Sequence, residues 1–76
     1  MPFIHVYALR GRDMETKKKA AQAIVKTASE AMGAPESVFT LVYEELEREA
    51  WQADVAQAII EPLRDKILIE NGEPVN

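Results

Sequence analysis

The strongest constraint on the fold is a long stretch from Asp13 to Met32 with no glycine or proline, set between two short β-rich segments. Within it, Met14, Ala21, Ile24, Val25, Ala28, Ala31 and Met32 recur at helical spacing. Asp13 is placed to cap the helix start and Gly33 to cap its end. Lys17, Lys18, Lys19, Gln22, Lys26 and Glu30 fall mostly on the opposite side, which predicts a solvated outer face for the lysine triplet. Upstream, Phe3 to Leu9 is rich in β-branched and aromatic residues and reads as a strand. Alternation puts Ile4, Val6 and Ala8 on one face, and Phe3, His5, Tyr7 and Leu9 on the other. Both faces are largely apolar, so both are expected to be covered. Downstream, Ala34-Pro35-Glu36 makes a turn and Val38 to Leu46 reads as a second strand. A crossover of this length permits a parallel pair with a right-handed connection. The expected fold class is therefore α/β (α+β), built on one β-α-β unit.

The remainder is less sharply patterned. The acidic run Glu44, Glu45, Glu47 and Glu49 reads as a solvated loop leading to Ala50-Trp51. Gln52 to Ile69 has helical periodicity through Val55, Ala58, Ile59 and Leu63, with Pro62 starting a new turn or kinking it. Asn71-Gly72-Glu73-Pro74 is a turn-rich tail, expected to be ordered against a partner subunit.

Seventy-six residues make one small domain, expected over residues 1–76. No cysteine is present, so neither disulfides nor cysteine-based metal sites can stabilise it. A two-stranded sheet with one main helix cannot close a core, because its second sheet face and its edges stay uncovered. With 47% hydrophobic residues the expected remedy is self-association, a four-stranded sheet across a dimer. The net charge of −4 argues against nucleic acid as a partner. No apolar run reaches membrane-spanning length and no signal peptide is visible, so the expected location is cytoplasmic.

Pro2 is the residue with the most distinctive chemistry. Proline after an initiator methionine is normally exposed by removal of that methionine, leaving a secondary amine at the chain start. An ordinary terminal α-amine has a pKa of roughly 7.7–8.0, and an apolar pocket or a nearby cation lowers it. A neutral Pro2 is then a general base well matched to neutral pH. Read alone, Pro2 is equally a good first residue for a strand, where no ladder donor is needed.

Taken together, these features resemble the 4-oxalocrotonate tautomerase family. The resemblance rests on Pro2 at a strand head, Leu9-Arg10-Gly11-Arg12 closing that strand, and the helix from about Asp13 to Met32. Gly33-Ala34-Pro35-Glu36-Ser37-Val38, leading into the second strand, and Trp51 in Arg48-Glu49-Ala50-Trp51 complete it. The resemblance implies a cofactor-free keto–enol tautomerase with Pro2 as base and a small 2-oxo or enol acid as substrate. It implies Arg12 as the carboxylate anchor, with Arg10 as a neighbour that shares the role, and Trp51 as the pocket aromatic. A guanidinium suits that task because its planar fork engages a carboxylate through two hydrogen bonds.

Two departures from the family pattern stand out. Phe39 occupies the place where well-studied hexameric members carry a second arginine, which implies an aromatic or monoacid substrate, with Phe39 itself a pocket wall or an interface residue. The glycine-rich hairpin that follows the pocket aromatic is replaced by Gln52-Ala53-Asp54-Val55-Ala56 and a helix containing Glu61-Pro62. That tail is similar to the dimeric subgroup that includes phenylpyruvate tautomerase, so a dimer is expected over a hexamer. Two other functions fit the same residues: hydration or dehalogenation of an unsaturated acid, and a non-catalytic self-associating scaffold. His5, the only histidine, lacks partners for a metal site and is expected near an interface. Tyr43 is expected to pack.

Overall fold

The computed structural model describes residues 1–75. Strand β1 (Phe3–Leu9), helix α1 (Met14–Met32), a 3-10 turn (Glu36–Val38) and strand β2 (Thr40–Leu46) come first. A short helix α2 (Arg48–Trp51) continues into a π-helical segment (Gln52–Ile60) and a 3-10 segment (Glu61–Lys66). Strands β3 (Ile69–Glu70) and β4 (Glu73–Pro74) end the described chain. The chain divides into two compact units, Met1–Leu46 and the residues from Glu47 onward.

The first unit is a β-α-β unit with a parallel sheet. Phe3 pairs with Thr40, His5 with Val42, Tyr7 with Glu44 and Leu9 with Leu46. Paired residues share a face, so Ile4, Val6 and Ala8 lie with Leu41, Tyr43 and Glu45. All six are partly buried, and the pairing of Glu45 with Lys17 of α1 shows that this face meets the helix. The partly buried residues of α1 are Lys17, Ala20, Ala21, Ile24, Val25, Ala28 and Ser29, one continuous helical stripe. Met14 and Met32, expected in that stripe, are instead 58% and 62% exposed at the helix ends. Lys17, expected on the outer face, belongs to the stripe because its stem packs inward while its amine reaches a carboxylate.

The ends of α1 are capped as its sequence dictates. The Asp13 carboxylate accepts the Thr16 amide at 2.8 Å, satisfying a donor that the first turn leaves unpaired. At the other end Gly33 adopts a left-handed conformation and donates its amide to the Ser29 carbonyl at 3.0 Å.

The opposite sheet face is open. Phe3 is 61% exposed and Val42 38% exposed. His5 stacks on Tyr7 with ring centroids 4.1 Å apart, and Phe3 meets His5 edge-on at 6.0 Å. His5 Nε2 hydrogen-bonds Glu44 Oε1 at 2.8 Å. Among the described residues only Val55 counts as buried, so no residue of the β-α-β unit is fully removed from solvent within one chain. A strand-helix-strand sandwich with one open face has this outcome, since half of its sheet has nothing to pack against.

The second unit is helical from Arg48 to Lys66 but changes its winding twice. The i→i+5 pattern continues to its end, where the Glu61 amide reaches the Ala56 carbonyl. Winding tightens to 3-10 at Glu61-Pro62, where proline supplies no amide donor. Arg64 then bridges Glu61 and Glu70, tying the end of this segment to β3. The tail differs from expectation. Ile69 and Glu70 pair antiparallel with Pro74 and Glu73, so the segment folds on itself as a hairpin. Asn71 and Gly72 both take positive φ, 52° and 81°, the geometry of a tight two-residue hairpin turn. A hairpin is thus present in the chain, at its far end and not directly after Trp51.

Candidate active site

Pro2 immediately precedes β1 and is partly buried, while Met1 is 99% exposed. The Pro2 carbonyl accepts the Thr40 amide at 3.2 Å, which anchors the chain start to the head of β2. Proline costs nothing here, because its missing amide is not needed by the ladder. Phe39 is extended and precedes Thr40, the partner of Phe3. The register therefore sets Pro2 and Phe39 side by side at one end of the sheet, and both are partly buried.

Arg10 and Arg12 lie at the other end. The Arg10 amide is bonded to the Leu46 carbonyl at 3.0 Å, continuing the ladder one residue past β1. The Arg12 guanidinium turns back to the Leu9 carbonyl at 3.5 Å, a long contact that leaves most of its donors unused. A strand advances about 3.3 Å per residue, so the six steps from Phe3 to Leu9 separate Pro2 from this guanidinium by roughly 20 Å. The expectation that Pro2 sits beside Arg12 is therefore corrected for residues of one chain: the strand that joins them also holds them apart. Trp51 belongs to the second unit, closes α2 and is partly buried.

Two side chains that sequence reasoning set aside matter at the Arg12 end. Glu45 lies within the strand expected from Val38 to Leu46, as the sixth residue of β2, but is not solvated as its acidic run implied. Its Oε1 accepts Lys17 Nζ at 2.9 Å, with the two side chains 17% and 18% exposed. The Lys17 hydrogen bond holds the Glu45 carboxyl below its ordinary value of 4.5, against the opposing effect of desolvation. The charge of Lys17 and the backbone amides of Arg12 and Gly11 act in the same direction as the bond. Neither amide makes a normal hydrogen bond to Oε2, which is buried without a partner. Asp13 is likewise held below its ordinary 3.8, chiefly by the Thr16 hydrogen bond. Helical spacing offered the clue, since Lys17 stands three and four residues before Ala20 and Ala21 on the inner stripe.

These shifts carry a sign. A carboxyl whose folded pKa is depressed stabilises the fold above its unfolded value and loses that contribution as pH falls through the folded value. The urea midpoint should therefore hold from neutral pH to about pH 5 and decline below about pH 4, less steeply in Glu45→Gln. A Glu45→Gln profile parallel to that of the unaltered protein would show that the ion pair contributes nothing to acid sensitivity.

An apolar furrow along α1, lined by Ala23, Ile24, Thr27, Ala28 and Ala31, contains none of the expected site residues. Among the described residues no cluster of histidine, cysteine, aspartate or glutamate could hold a metal ion, and no helix is long and apolar enough to cross a membrane.

The first unit is thus a small parallel β-α-β unit with proline at its head and an arginine pair beyond its first strand. The family described as Tautomerase enzyme matches residues 2–57, which takes in Pro2, both arginines, Phe39 and Trp51, and the chain belongs to that family. Membership supports isomerase-type chemistry. No curated protein matches the chain.

Proposed function

We propose that the protein is a cofactor-free tautomerase that interconverts the keto and enol forms of a small 2-oxo acid, with Pro2 as general base once Met1 is removed. The observation that carries this reading is that the family match begins at Pro2, in a position where the amine can be both terminal and partly buried. The secondary amine takes a proton from the carbon or oxygen at one end of the enol system and returns it at the other. Removal from water favours its neutral, basic form. Phe39 beside it supplies an apolar wall, and the absence of arginine at that position favours an aromatic or monoacid substrate. Trp51 is assigned the role of the aromatic that shields the substrate from water.

The anchor for the substrate carboxylate is Arg12, assisted by Arg10. One chain holds Pro2 and Arg12 at opposite ends of a strand, so we assign the working site to a homodimer. A two-fold axis normal to the strands runs neighbouring strands in opposite directions, which brings Arg12 of the partner subunit toward Pro2. The exposed face of Phe3, His5 and Val42, and the lack of a closed core in the β-α-β unit, support such an assembly. The proposed location is the cytoplasm.

Two measurements test this reading together. The purified chain should have the mass that begins at Pro2, and it should ketonise an aromatic enol acid followed by ultraviolet absorbance. Retained methionine would remove the base, and a terminal-proline protein inactive on aromatic and aliphatic enol acids would favour the scaffold reading.

A further inference from the structure

The helical stretch that follows Trp51 is wound more widely than an α-helix. From Gln52 to Ile60 it keeps the i→i+5 pattern, closing with the Glu61 amide on the Ala56 carbonyl. Such winding is rare beyond a single turn and concentrates at functional sites. Burial along the same residues repeats it independently. Val55 is 3% exposed and Trp51, Ala56, Ile59 and Ile60 are partly buried, whereas Ala53, Asp54, Gln57 and Ala58 are exposed. At about 100° per residue, an α-helix would turn Ile60 to the side opposite Trp51 and Ala56 to about 140° from it. An i→i+5 helix advances by roughly 80° per residue, which brings Val55, Ala56, Ile59 and Ile60 within about 80° of Trp51 and leaves the four exposed residues beyond about 100°. The stripe expected at α-helical spacing differs for this reason: Ala58 and Leu63 are exposed, and Trp51 and Ile60 belong to the stripe instead.

We propose that this winding keeps Trp51 in phase with Val55, and that Val55 is the positioning residue that fixes the orientation in which the Trp51 indole shields a substrate from water. The part concerning the substrate rests on the tautomerase reading; the part concerning the phase of the two residues does not. Among the described residues no side-chain cap holds the start of α2, so the rotation of Trp51 is set from the turn that follows it. Val55 lies one wide turn on and is the best-buried residue of that turn. A β-branched side chain in a helix has one strongly preferred rotamer, so its burial fixes the helix about its own axis. The extra residue in each turn then widens the helix instead of carrying the indole away from the stripe.

Trp51 is the only tryptophan of the chain, so its fluorescence reports its surroundings directly. Fluorescence quenching and steady-state kinetics on the full chain, comparing the unaltered protein, Val55→Ala, Trp51→Ala and the double variant, test the proposal. Val55→Ala should raise acrylamide quenching of Trp51 by about threefold, since truncating a buried side chain leaves its neighbours room to move. KM for an enol acid should rise by about fivefold with kcat within about twofold. In the Trp51→Ala background Val55→Ala should change KM no further, because the two residues act as one. An alanine inserted between the exposed Ala53 and Asp54 leaves Val55 intact and turns Trp51 out of phase, and it should raise quenching in the same way. In the unaltered protein, magnetic coupling across hydrogen bonds should join the Glu61 amide to the Ala56 carbonyl, a readout that needs no variant to fold. Coupling to the Gln57 carbonyl instead would mean α-helical winding and overturn the proposal. So would quenching unchanged by both alterations, or KM effects of Val55→Ala and Trp51→Ala that multiply. If the unaltered protein turns over no enol acid, the tautomerase reading fails, and the coupling and quenching results still decide whether Val55 sets Trp51.

Discussion

Replacing Pro2 with alanine should lower turnover of an active enol acid by about 10²–10⁴, the range over which a positioned general base contributes. Alanine leaves the preceding methionine removable and still gives a terminal amine, so the variant isolates the ring and its secondary nitrogen. A primary amine is less basic and freer to rotate, and both changes weaken proton transfer. The fold should tolerate the exchange, since Pro2 contributes its carbonyl to the Thr40 amide and alanine has the same carbonyl. An unaltered thermal midpoint alongside the activity loss would place the effect in the chemistry. Undiminished turnover in Pro2→Ala would end the proposal that Pro2 is the base.

The local architecture was legible because its signals are local. A helix bounded by Asp13 and Gly33, with no breaker between them, follows from capping and periodicity alone, and both caps are where the sequence places them. The parallel pairing of β1 and β2 follows from the length of that crossover. The tail was legible in principle, since Asn71-Gly72 between short extended segments is a strong hairpin signal. Its turn residues were seen, but the flanks were too short and mixed in character to read as strands. The acidic run differs in its partners. Glu44 and Glu45 lie in β2, inside the strand expected from Val38 to Leu46, and pair with His5 and Lys17 instead of with solvent alone. Such pairings join residues 39 and 28 positions apart, beyond the reach of local periodicity.

The candidate site was legible as a set of residues but not as an arrangement. The resemblance implies that Pro2 and Arg12 serve one substrate, and the two residues are close in sequence. An extended strand converts seven residues into most of the width of the unit, so nearness in sequence became separation in space. Only the register made it possible to see that Phe39 accompanies Pro2 while both arginines occupy the opposite end.

The central claim is a proline base working with an arginine from a second copy, and subunit complementation tests it most directly. Arg12→Ala alone should weaken binding of the substrate acid by about 1.5–3 kcal/mol, the worth of a charged hydrogen-bonded contact. Pro2→Ala alone should be nearly inactive. In a dimer of one chain of each kind, one site receives the intact Pro2 and the intact Arg12, and the other receives neither. Random reassortment of equal amounts, by unfolding and refolding together, should therefore restore about a quarter of the unaltered sites. Measured at low substrate, activity well above the mean of the two parent variants is the result this account predicts. Activity equal to that mean would contradict a site shared between subunits.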